Sequence, residues 1–164
     1  MDSGSWQSTV RLLLQCGNRQ PERLTTIVIQ SIGIDIIEIE RVRQAMERRP
    51  GMAARLFTER ERAYCDRHND PSPHYAARFA AKEAIAKAFG CWLRWHEVEI
   101  VNESSGRPRV ILYGRAASLA RADAGEVVLV SLSHSREYAV ACALLAPKEI
   151  SCLGENEAHG GVWT

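Results

Sequence analysis

Residues 78 to 90 read RFAAKEAIAKAFG, and this stretch limits what the chain can fold into more than any other. Alanine is the best helix former, and only Ile85 in the stretch is β-branched. A glycine suited to a left-handed cap follows at Gly90, so the pattern predicts a helix over 75–89. A run this apolar belongs in a core, yet Glu83 and Lys87 lie inside it. At about 100° per residue they fall one turn apart on one face. Ala76, Phe79, Ala80 and Ala86 line that face, and Lys82 and Arg78 form a second pair on another. Each pair could be a local ion pair or a solvated stripe contributing about 0.3–0.5 kcal/mol. A solvated stripe, however, has no need of alanines. Small side chains let a bulky ligand approach while a carboxylate and an ammonium point at it. That combination suits Mg²⁺ beside a phosphate. Mg²⁺ takes one or two protein carboxylates and completes its shell with water and phosphate oxygens, and lysine acts on phosphate as a point charge.

Around this helix the order of elements is irregular. TIVIQSIGIDIIEI, from Thr26, alternates and is β-branched, which predicts a strand. ERVRQAMERR has helical spacing and stops at Pro50-Gly51. Thr58 with Glu61 reads as a capping box opening TERERAYCDRH. HEVEIVN and PRVILY read as strands joined by ESSGR, then come a short helix GRAASLARAD and the strands EVVLVSLSHS and EYAVACALL. Hairpins mixed with helices, without regular β-α alternation, predict an α+β class. A length of 164 residues suits one domain. Residues 1–25 read as a loosely ordered N-terminal extension, 26–147 as the folded domain and 148–164 as a C-terminal tail. The first 24 residues lack the uninterrupted apolar centre of a secretory signal, and a ragged extension is preferred to a transit peptide.

Composition matters mainly for what it excludes. A net charge of +1 offers no global field toward nucleic acid or an anionic membrane. No apolar run reaches the roughly 20 residues of a membrane span. Cys16, Cys65, Cys91, Cys142 and Cys152 are scattered and odd in number, without a C-x-x-C pair. They suggest neither a disulfide framework nor a zinc site, and a reducing, cytoplasmic setting is expected.

Two other places put polar groups into apolar structure. Asp35 sits among isoleucines in SIGIDIIEI. A buried, unpartnered carboxylate costs several kcal/mol. Asp35 therefore caps a turn, lies at a wet strand end, or meets a cation. In SLSHSREYAVA, Ser131, Ser133 and Ser135 alternate, and His134 falls at the strand end. Neighbours on a strand point to opposite faces, so Ser133 is poorly placed to be deprotonated by His134. No G-x-S-x-G elbow is present. Hydroxyls and an imidazole there fit phosphate or ribose binding better than hydrolase chemistry, with a purely structural histidine as the alternative.

In this order, GIDIIEIERV, LFTERERAYC, RFAAKEAIAKAFG, VEIVNESSGRPRVIL and VSLSHSREYAVA resemble holo-acyl-carrier-protein synthase, the small bacterial group of 4′-phosphopantetheinyl transferases. The resemblance runs from Ile32 to Leu145. It implies a small antiparallel sheet packed with helices in a single domain. It also implies transfer of the 4′-phosphopantetheine arm of coenzyme A to a serine of apo acyl carrier protein, releasing adenosine 3′,5′-bisphosphate. By matching position, Asp35 and Glu83 are the expected ligands of Mg²⁺ (Mn²⁺ being open), and Lys87 contacts the phosphates. Asp35, Glu83 and Lys87 together form the expected catalytic group. Arg78, Ser133 and His134 fall in coenzyme-contacting segments. Arg41, Arg48 and Met52 match the family's carrier-docking helix, where basic residues suit an acidic carrier. A homotrimer with sites at subunit interfaces is implied, with a role in fatty acid or polyketide biosynthesis. Two other readings stay open: a metal-dependent pyrophosphohydrolase acting on coenzyme A, and a carrier-binding module without catalysis. A nucleic-acid reading rests only on the arginine-rich helix, and the chain has no recognised binding motif.

Overall fold

The structure is a computed structural model and describes residues 29–122 and 126–148. The predicted extension at 1–25, residues 26–28 of the first predicted strand and residues 149–164 of the predicted tail lie outside the described residues. The elements run β1 (Ser31–Glu38), α1 (Ile39–Arg48), α2 (Met52–Leu56), α3 (Glu59–Cys65) and α4 (Ser72–Phe89). A 3-10 turn at Trp95–Glu97 follows, then β2 (Val98–Asn102), β3 (Pro108–Leu112), α5 (Gly114–Ala122), β4 (Glu126–His134) and β5 (Tyr138–Pro147). The class is α+β, as expected. The strands form two antiparallel sheets, one of order β1-β5-β4 and the other the β2-β3 hairpin.

Helix α4 lies against one face of the three-stranded sheet, and its alanines explain how. Ala80, Ala81, Ala84 and Ala88 are buried, as are Ala139, Ala141 and Ala143 on β5. At Gly33 on β1, an added Cβ would stand 1.9 Å from the Ala84 carbonyl oxygen and 2.7 Å from the Ala88 nitrogen. Helix backbone therefore rests directly on strand backbone. This corrects the expectation that the alanines chiefly make room for a ligand: most of them make room for the sheet.

Other departures are local. Helix α4 starts at Ser72 rather than Tyr75. Pro71 precedes it and Pro73 sits in its first turn, where a missing N–H costs nothing. The short α2 was not expected, being too brief to show a period. His96 and Glu97 form the 3-10 turn, so β2 begins at Val98. The capping box at Thr58 is as predicted: Thr58 Oγ1 accepts from the Glu61 N–H, and the Thr58 N–H donates to Glu61 Oε2 at 2.8 Å.

A buried ion pair holds the layers together. Lys82 Nζ lies 2.8 Å from Glu61 Oε2, and it also donates to the Leu56 and Trp95 carbonyls. Glu61 in turn accepts from the Ile100 N–H. Lys82 is thus a strut between α3 and α4, not part of a solvated stripe. On the sheet face away from α4, Ile32, Ile34 and Ile36 are exposed, with Tyr138 and Val140 of β5 beside them.

Candidate active site

Alternation along β1 sends Gly33, Asp35 and Ile37 toward α4, opposite to Ile32, Ile34 and Ile36. Asp35 is therefore neither a turn cap nor a strand end. It pairs with Ala141 mid-strand and points at the flank of α4 that carries Glu83 and Lys87. Lys87 Nζ donates to Asp35 Oδ1 at 2.8 Å and to the Ile34 carbonyl at 3.0 Å. Lys87 thus bridges to β1, not one turn back to Glu83. Burial, reinforced by the charge of Asp35, pushes the Glu83 carboxyl above its usual range, while Lys87 pulls the other way. Both carboxylates line a cleft of about 420 Å³. Arg41, Met52 and Phe79 line it too.

Two nearby carboxylates, one reluctant to ionise beside the other, are a donor set that a hard dication stabilises. Among the described residues no group of three or more His, Cys, Asp or Glu is placed to hold a metal. The pair fits an ion that draws the rest of its shell from water and phosphate, as Mg²⁺ does.

The expected carrier-docking residues separate. Arg41 and Met52 face the cleft, whereas Arg48 lies outside its lining and donates from Nη2 to Gln44 Oε1 at 3.1 Å. Trp95 stacks on Phe79 with ring centroids 5.2 Å apart, and Trp92 is exposed.

The expected coenzyme contacts fall elsewhere. Arg78 is buried, donates from Nη2 to Asn102 Oδ1 at 2.7 Å, and lies over the Tyr64 ring at 3.9 Å. His134 pairs across β5 with Ala139, which pairs with Ile37, so its side chain shares the helix-facing side of the sheet. There its ring meets His74, which stacks on His68. Ser133 pairs with Val140, which pairs with Ile36, so Ser133 lies on the open face. Within one chain Ser133 and His134 do not converge. His74 and Glu83 are about 180° apart around α4. The chain thus carries two polar clusters on opposite flanks of one helix: Asp35, Glu83 and Lys87, and Arg78 with the histidines. Tyr64, His68 and His74 went unnoticed in the sequence. They straddle a two-proline loop, so no helical or strand period links them.

Residues 31–143 match the family described as the 4′-phosphopantetheinyl transferase superfamily. The holo-[acyl-carrier-protein] synthase of Moorella thermoacetica is 50% identical over 116 residues, covering 69% of this chain and 91% of that protein. That of Geobacter metallireducens is 44% identical over 123 residues, covering 72% and 98%. Among solved structures, the holo-(acyl-carrier-protein) synthase of Bacillus anthracis in complex with CoA (3′,5′-ADP) superposes with a TM-score of 0.61. It is 32% identical, and the match covers 73% of this chain and 98% of that one. The holo-ACP-synthase of Plasmodium yoelii gives a TM-score of 0.67 at 28% identity, covering 76% and 99%.

Proposed function

The chain belongs to the 4′-phosphopantetheinyl transferase superfamily, in its holo-[acyl-carrier-protein] synthase group, and on that premise we propose that it transfers the phosphopantetheine arm of coenzyme A to a serine of apo acyl carrier protein at the Asp35–Glu83–Lys87 cleft. The observation that carries this reading is the convergence of Asp35 of β1 and Glu83 of α4 on a cleft that Arg41 and Met52 also line, with Lys87 bonded to Asp35 beside it.

The carrier serine hydroxyl attacks the β-phosphorus of coenzyme A. The bridging P–O bond to the α-phosphate breaks, and adenosine 3′,5′-bisphosphate leaves. Such substitutions run mostly on positioning and charge neutralisation. Asp35 and Glu83 would hold Mg²⁺ or Mn²⁺. When bound, the ion supplies charge neutralisation on the pyrophosphate oxygens. Lys87 turns from Asp35 to the phosphate chain and offsets charge on the leaving group. Asp35, Glu83 or a water held beside them takes the serine proton. Arg41 and Met52, which line the cleft, meet the acidic carrier there, and Arg48 at the end of α1 extends the basic surface.

Arg78 and His134 contact the coenzyme from a neighbouring subunit, because α4 stands between them and the cleft of their own chain. The assembly is a homotrimer. Its support is the open face of Ile32, Ile34 and Ile36, which are 57%, 56% and 64% exposed in the single chain. A contiguous apolar face of this kind marks an interaction surface. Ser133 sits on that face and reaches a site only across the interface. The free thiols of Cys65, Cys91 and Cys142 suit the cytoplasm, and the acceptor is a fatty-acid or polyketide-type carrier. No helix among the described residues is long and apolar enough to cross a membrane.

Mass spectrometry of apo acyl carrier protein incubated with the enzyme, coenzyme A and Mg²⁺ tests this reading. The carrier gains the mass of one phosphopantetheine group, and the gain vanishes with Glu83→Gln or EDTA. Consumption of coenzyme A without a gain on any carrier would replace the transferase with a hydrolase.

A further inference from the structure

Two histidines in the second cluster have no part in the function described so far. His68 and His74 stack with ring centroids 3.6 Å apart and planes at 28°. His134 meets His74 edge-on at 5.6 Å. Tyr64 touches both His68, at 4.9 Å, and His74, at 5.8 Å. His68 Nδ1 lies 2.9 Å from the Tyr64 carbonyl oxygen. A carbonyl only accepts, so this nitrogen carries a proton and donates it. Beside the rings, Arg78 is buried, and its Nε has no hydrogen-bond partner among the described residues.

The charges around His74 come from several elements. His68 follows α3, His134 ends β4, and Arg78 lies one turn along α4. Asp70 stands in the loop before α4, where it caps the Ser72 N–H and pairs with Arg43 of α1 at 2.8 Å. Arg67 lies over the far partner, Tyr64, at 4.6 Å. Burial holds the His74 imidazole below its ordinary range. His68, His134 and Arg78 add to this, and only Asp70 opposes. Stacked rings that each gain a charge repel. An anion seated against the stack reverses that balance, since it favours the charged form of every ring it faces.

We propose that His68, His74 and His134 form a proton-linked clamp for a phosphate group of coenzyme A, so that coenzyme binding draws protons onto the imidazole stack. The proposal rests on the reading that Arg78 and His134 belong to the coenzyme site. It makes His68 and His74 positioning residues for the substrate phosphate. It also makes coenzyme affinity fall as pH rises through the imidazole range.

Calorimetry of coenzyme A binding to the full-length protein, in two buffers of different ionisation enthalpy, counts the protons taken up. The wild type is compared with His68→Asn/His74→Asn, because the comparison cancels the ligand's own titration. The wild type should take up on the order of half a proton more near neutral pH, and should lose roughly 3–10-fold more affinity between about pH 6 and pH 8. Dephospho-coenzyme A, which lacks the ribose phosphate, separates the two phosphate sources: loss of the extra uptake assigns the clamp to that phosphate, and its retention assigns it to the pyrophosphate. NMR titration of the wild-type imidazoles keeps the test independent of the variant's folding, and coenzyme A should raise the His74 midpoint. Equal uptake and parallel pH profiles, or an unmoved midpoint, overturn the clamp while transfer to the carrier stands. No coenzyme A binding by the wild type at any pH overturns both the clamp and the transferase reading.

Discussion

Lys87 Nζ stands 2.8 Å from Asp35 Oδ1 and ties α4 to β1 across the edge of the cleft. The lysine is about half exposed and the aspartate nearly buried, so the bond is easily exchanged for a better partner. Lys87→Gln should cost less than about 1 kcal/mol of stability, as expected for a half-exposed pair. The same change should lower kcat for carrier modification by about 10²-fold or more, because the proposed mechanism sets the charge it removes against the reacting phosphate. Thermal melts and steady-state assays on one preparation separate the two effects.

Glu83 is held above its usual carboxylate range by burial and by Asp35. A carboxyl whose folded pKa is raised contributes stability at low pH and loses it as pH rises through that folded value. At neutral pH the ionised Glu83 therefore works against the fold. Glu83→Gln should raise the Tm of the metal-free protein by about 1–4 °C at pH 7, with the gain shrinking in acid. The variant should abolish transfer and lose the stabilisation that Mg²⁺ gives the wild type. A lower Tm at pH 7 would contradict the assignment.

At Gly33 the sheet and α4 meet backbone to backbone, with an ideal Cβ only 1.9 Å from the Ala84 carbonyl. Both atoms belong to regular backbone, so neither can swing aside. Gly33→Ala should destabilise by about 1–3 kcal/mol or more and shift α4, carrying Glu83 and Lys87 with it. Chemical denaturation gives the first number. Loss of activity beyond the unfolded fraction gives the second.

Ile34 is central in the exposed row of β1, opposite Cys142 of β5. Ile34→Asp should leave the subunit folded and convert the proposed trimer to monomers in sedimentation. Activity should fall with the assembly, because in the proposed site the two clusters that meet one coenzyme come from different chains. A fully active monomer would refute the shared site.

Arg41 lines the cleft and carries no hydrogen bond or ion pair within the described structure that would occupy it. Arg41→Glu should raise KM for the carrier about tenfold at low salt with little change in KM for coenzyme A. Added salt should narrow the gap between variant and wild type.

Much of this was already legible in the chain. The alanine-rich helix, its Gly90 cap, the Thr58 capping box and the hairpins are local. Each depends on propensity or on partners three or four residues away, and all appear in the structure. Asp35 and Glu83 were visible because a charge inside an apolar run needs a reason wherever it occurs. What the tertiary structure decided were the pairings between distant segments. Lys87 chose Asp35, 52 residues away, over the neighbour one turn back. Lys82 was buried by Glu61. The alanines were committed to Gly33 and β5 more than to a ligand. The register of β4 on β5 decided that His134, and not Ser133, faces α4, and three histidines from separate elements were brought into contact. Local preference extends over a few residues of backbone, whereas these contacts depend on register and on the path of α4 across the sheet, which exist only once the layers have packed.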